Sequence, residues 1–105
     1  MLTLQRHSQI RFVFASDVPM DEVEGTLVLA QIAAESLYGR GRVEIEAPWV
    51  TDKIERSVLI DAMMESGRTL TLVFQGYLQR EFGLDAFEMT CVTPDEPSDR
   101  DKVDA

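Results

Sequence analysis

The chain predicts a single α+β domain, a four-stranded sheet with two helices on one face, in the βαββαβ order of the split βαβ, ferredoxin-like arrangement. Three observations predict it. Short stretches of period-two alternation bracket two longer stretches whose apolar residues recur at steps of three and four. The length of 105 residues suits one two-layer core and is too small for two. A hydrophobic content of 45% is that of a globular domain and not of a disordered chain.

The first strand is read over Gln9–Ala15, with Ile10, Phe12 and Phe14 on one face and Arg11 and Val13 on the other. Ser16 and Asp17 are capping residues for a helix, Pro19 fits its first turn, and Asp21 and Glu22 suit the positive end of its dipole. Helix one then runs from Pro19 to Tyr38 on the stripe Met20, Val23, Leu27, Ala30, Ala34 and Leu37, and Gly39 closes it. After the turn Gly39-Arg40-Gly41, Val43, Ile45 and Ala47 alternate with Arg42, Glu44 and Glu46, the pattern of a half-solvated second strand that ends near Pro48.

Residues 52–82 admit two readings. In the preferred one, Arg56–Ala62 is a third strand with Val58, Ile60 and Ala62 inward. A second helix then runs over Ser66–Phe82, because Leu70, Val73, Phe74, Tyr77, Leu78 and Phe82 form a continuous stripe closed by Gly83. The alternative, a βαβαββ two-layer fold, makes residues 53–66 helical behind an Asp52-x-x-Glu55 capping pattern and residues 68–75 a strand through TLTLVF. Under both readings Ala86–Val92 is the last strand, with Phe87, Met89 and Cys91 toward the core and Glu88 and Thr90 toward water. The domain spans residues 1–92. The remainder, 93–105, has two prolines, no aromatic residue and five acids against two bases, and is expected to be a disordered acidic tail.

Composition excludes several functional classes. With one histidine, His7, and one cysteine, Cys91, the chain has neither the ligands of a zinc site nor a disulfide framework, so no metal and no cofactor is expected. A formal charge of −9 opposes binding to phosphate backbones and anionic lipid. The sheet face away from the helices is read as Arg11, Val13, Arg42, Glu44, Glu46, Leu59, Asp61, Glu88, Thr90 and Val92. It offers no aromatic platform for bases, so neither nucleic acid nor membrane is expected as a partner. MLTLQRHSQIRF lacks the apolar run of a signal peptide, and the expected location is cytoplasmic.

Few residues are left to carry chemistry. His7 reads as a surface histidine, Cys91 as a small core hydrophobe, and Asp61 as a carboxylate turned to solvent or held by Arg68. Ser66, Gly67, Arg68 and Thr69, at the start of the second long helix, form a candidate anion or ligand site of backbone N–H groups beside an arginine. The sharper signal is on helix one, where Val28, Leu29 and Ile32 project opposite the core stripe, flanked by the small residues Gly25 and Ser36. The expected function is therefore non-catalytic: self-association, as a homo-oligomer and most simply a dimer, or docking of another protein through this outer face. The alternative is a cofactor-independent enzyme or small-ligand-binding domain of the dimeric ferredoxin-like type, with a pocket using Trp49, Asp61, Arg68 and Tyr77.

Overall fold

The computed structural model describes residues 9–92, so His7 and the expected tail from Thr93 lie outside the described residues. Four strands and three helices run in the order β1 (Gln9–Phe14), α1 (Met20–Tyr38), α2 (Arg40–Glu46), β2 (Trp49–Asp52), β3 (Ser57–Asp61), α3 (Glu65–Phe82) and β4 (Phe87–Val92). The strands form one antiparallel sheet in the order β2-β3-β1-β4. The fold is α+β. The helices lie on the sheet face that carries Phe12, Val58 and Ile60, and Val23, Leu27, Ala30, Leu70, Phe74 and Leu78 close the core from above.

β1 holds the centre of the sheet. Phe12 pairs with Val58 on one side and Met89 on the other, and its ring meets Phe74 of α3 edge-on at 4.9 Å between centroids. α1 keeps the expected stripe through Met20, Val23, Leu27, Ala30 and Ala34, but Leu37 is exposed because the helix ends at Gly39, φ +93, before another inward turn is complete.

Residues 40–46 correct the sequence reading: they are helical, not a strand. Arg40–Glu44 and Arg42–Glu46 are ion pairs at 3.1 and 3.0 Å in i, i+4 spacing, and the Arg42 guanidinium lies 5.0 Å from the Tyr38 ring centre. Only Val43 is buried, while Ile45 is 80% exposed, so the apparent alternation did not mark an inward face. The second strand moves downstream to Trp49–Asp52, beyond Pro48. Arg42, Glu44 and Glu46 therefore leave the outer sheet face, and Val50, Asp52 and Ser57 take their place beside Arg11, Val13 and Leu59.

The choice over residues 52–82 falls to the helical stripe. Lys53–Arg56 is a turn in which the Asp52 carboxylate accepts the Glu55 N–H at 2.9 Å, so the capping pattern builds a hairpin and not a helix. Val58, Ile60 and Ala62 are buried, and α3 buries Leu70, Phe74 and Leu78. Cys91, expected in the core, is exposed because β4 is an edge strand and the helices do not extend over that end.

This packing sets two stability outcomes. Leu70 is fully buried and Leu72 is 67% exposed, so Leu70→Ala should cost roughly 2 to 5 kcal/mol and Leu72→Gln less than about 1 in urea titrations. In the strand alternative the two would share a face, and their losses would be equal. At Gly67 an added Cβ would sit 2.1 Å from the Asp61 carbonyl oxygen, with backbone on every near side. Gly67→Ala should therefore cost at least about 2 kcal/mol, by forcing the α3 start off the end of β3.

Candidate functional site

Helix periodicity places Gly25, Leu29, Ile32 and Ser36 in one row on the side of α1 away from the sheet, with Val28 beside it. Val28, Leu29 and Ile32 are 47, 59 and 53% exposed. Gly25 has open space where a side chain would stand, and the Ser36 hydroxyl donates to the Ile32 carbonyl oxygen at 3.1 Å. The neighbouring wall comes from α3, whose last turns bring Tyr77, Arg80 and Glu81 alongside.

The two helices enclose a groove of about 540 Å³ lined by Thr26, Leu29, Ile32, Ala33, Tyr77, Arg80 and Glu81. Its floor is apolar, and its charged groups sit on one wall. Thr26, although buried, anchors the floor: its Oγ1 lies 2.9 Å from both the Glu22 carbonyl oxygen and Glu81 Oε1. One hydroxyl proton serves one of these acceptors at a time. Sequence reasoning found Leu29 and Ile32 but missed Thr26, Ala33, Arg80 and Glu81. The available signal was the spacing Thr26-Leu29-Ala33 against Tyr77-Arg80-Glu81, which matters only once α1 and α3 are known to be neighbours.

The residues at the start of α3 are placed differently. Ser66 is fully buried and donates to Glu46 Oε1 at 2.8 Å. Gly67 packs on Asp61, Arg68 Nη1 donates to the Met63 carbonyl oxygen at 2.7 Å, and Thr69 Oγ1 pairs with the Tyr38 hydroxyl at 2.9 Å. Each of the four is thus engaged within the domain, and Glu46 places a carboxylate beside Ser66 where an anion would have to sit. The Ser66 hydroxyl, aided by the Arg42 guanidinium, holds the Glu46 carboxyl below the ordinary glutamate value.

The pocket expected from Trp49, Asp61, Arg68 and Tyr77 does not assemble at one place. The Trp49 indole N–H donates to Gln31 Oε1 at 2.7 Å, and Asp61 Oδ1 accepts the Met63 N–H at 3.0 Å. Arg68 lines a separate recess of about 290 Å³ with Ile10, Ala62, Thr71, Leu72 and Met89, while Tyr77 lines the α1–α3 groove. Among the described residues no three His, Cys, Asp or Glu side chains group as metal ligands, and no helix is long and apolar enough to cross a membrane. The outer sheet face, described from Gln9 to Val92, carries Asp52, Asp61 and Glu88 against Arg11 and no aromatic residue.

The chain matches no protein-family model, no curated protein and no solved structure.

The Ser66–Glu46 contact sets a pH outcome. Because the folded carboxyl titrates below its unfolded value, the contact stabilises the domain above the ordinary glutamate range, and this is lost as pH falls through the depressed value. Ser66→Ala should raise the Glu46 midpoint toward the ordinary value in a carboxyl-carbon NMR titration. An unchanged midpoint would assign the depression to Arg42 alone.

Proposed function

We propose that this chain is a non-catalytic interaction domain of ferredoxin-like type that docks a second copy or another protein on the outer face of α1. The ferredoxin-like assignment is supported by the order β2-β3-β1-β4, in which each helical crossover passes over a neighbouring strand. The docking reading is carried by one observation: Leu29 and Ile32, half exposed, line an apolar groove that α3 completes with Tyr77. Burying each of Val28, Leu29 and Ile32 is worth roughly 1.5 to 3 kcal/mol before association costs, so the contact needs the groove as well as the helix. In this reading neither nucleic acid nor membrane is a partner, since the net charge of −9 repels both. The cytoplasm is the location that accords with it.

A second reading, a small-ligand-binding domain, is favoured by the volume of the groove, about 540 Å³, which falls within the range of small-molecule sites. Against it, Thr26 and Glu81, two of the polar groups at hand, are already bonded to each other. Likewise the candidate anion residues Ser66, Gly67, Arg68 and Thr69 remain available to a ligand only if their internal contacts open.

Ile32→Glu tests the docking reading. It should leave the thermal midpoint within about 4 °C, roughly 1 kcal/mol at this size, and weaken assembly measured by light scattering after size exclusion. Assembly of unchanged affinity in this variant would remove α1 as the contact between copies and leave only docking of another protein.

A further inference from the structure

β4 closes one side of the sheet, and its ladder with β1 fixes which of its peptide groups face outward. The Ala15 N–H donates to the Ala86 carbonyl oxygen at 2.9 Å, so hydrogen-bonded pairs recur at every second residue, at Val13–Glu88, Arg11–Thr90 and Gln9–Val92. The peptide groups of Phe87, Met89 and Cys91 therefore point away from the sheet, and among the described residues no strand pairs with them. Edge strands are ordinarily blunted by shortness, proline, bulges or charge. The opposite edge, β2, has only four residues. β4 has six, with no proline, and its single charge, Glu88, lies on the face away from the helices.

The helical layer stops short of this edge. Beneath it lies the recess of about 290 Å³ lined by Ile10, Ala62, Arg68, Thr71, Leu72 and Met89, and Leu72 and Cys91 stand exposed beside it. A strand added to β4 would thus meet open hydrogen-bonding groups in the plane of the sheet and apolar side chains on the helix side.

We propose that β4 is a self-pairing edge, at which a second copy of this chain adds its own β4 antiparallel, with Met89 opposite Met89 of the second copy, joining two sheets into one. In this register Phe87 faces Cys91 of the second copy and the reverse, so all three outward peptide groups on each chain are bonded, by about six hydrogen bonds. Shifting the two-fold axis to Phe87 or Cys91 leaves outward groups of β4 without partners. Centring it on Glu88 sets two carboxylates against each other. The Met89 register instead places Glu88 opposite Thr90 of the second copy on the exposed face. The contact is separate from the one read on α1.

Charge reversal across this pair tests the register. In the full chain carrying Ile32→Glu, which disables the α1 face and leaves β4 untouched, light scattering should still find a dimer at tens of micromolar. Thr90→Glu sets like charges opposite Glu88 twice per dimer and should weaken it by roughly tenfold; adding Glu88→Lys should restore it. Both positions are exposed, and unchanged circular dichroism confirms the fold. Amide exchange at Phe87, Met89 and Cys91 should slow only in the dimer. A monomer in the Ile32→Glu chain, or a dimer indifferent to Thr90→Glu, overturns the proposal. So does protection of these three amides in a monomer, which would mean that another segment of the same chain covers the edge. A dimer of unchanged affinity in the Ile32→Glu chain that is lost on Thr90→Glu would leave β4 as the interface between copies and restrict α1 to docking another protein.

Discussion

Phe12 is the residue on which the architecture turns. It sits at the middle of the central strand, with no exposed surface, and its ring is surrounded by Phe74 at 4.9 Å, Phe87 at 5.8 Å and Phe14 at 6.4 Å. Because β1 is bonded on both edges, β2 cannot lie next to it and must reach the far side of β3, while β4 takes the other flank. Each crossover spans a strand and needs a helix to do so, and the helices collect on the face where the Phe12 ring projects. Sheet order thus follows from the pairing of β1 on both edges, and the helix layer from the face on which Phe12 projects.

The ends of the helices are fixed by contacts that involve little apolar area. Arg56 adopts φ +56, a backbone region that disfavours side chains, yet its guanidinium donates to the Ala15 carbonyl oxygen at 2.6 Å and to that of Val18, while its own carbonyl accepts the Phe14 N–H at 2.9 Å. Charge-assisted bonds of this kind are worth more than the roughly 1 to 2 kcal/mol that a left-handed residue costs. They tie the β2–β3 turn to the loop that launches α1. At the other end Gly67 lets α3 begin directly against the Asp61 carbonyl. Once both starts are set, the inner stripes of α1 and α3 face the sheet, and Leu29, Ile32 and Tyr77 are left together on the outside.

Among the described residues, the two surfaces read as contacts differ in character. The α1–α3 groove offers side chains and no free backbone, and β4 offers backbone groups with a modest apolar recess below them. A chain with a net charge of −9 repels its own copies, so contact between them has to come from apolar burial and peptide hydrogen bonds, not from ion pairs. Both surfaces are suited to that condition: β4 carries a single charge, Glu88, on the face away from the helices, and the charged groups of the groove, Arg80 and Glu81, come from one wall only.

Sequence alone determined the elements whose pattern is long. The stripe through Leu70, Phe74 and Leu78 distinguished helix from strand over α3, and Val58 and Ile60 marked β3, because only one periodicity buries those residues together. It also identified Val28, Leu29 and Ile32 as outward residues, which needed nothing beyond the angle between positions on one helix. Tertiary structure decided the rest. Val43, Ile45 and Ala47 fit a strand over five residues as well as a helix turn, and the matter was settled by pairing at a distance: Trp49 and Thr51 align with Ile60 and Val58, which leaves residues 40–46 to close α1 onto the sheet as a helix. The same holds for Ser66, drawn to Glu46, for Cys91, exposed by its place at an edge, and for Tyr77, joined to α1 only by the packing of two helices. Local periodicity records which way a side chain points from its own element. What it meets there depends on contacts between residues far apart in the chain, whose energies exist only in the folded state.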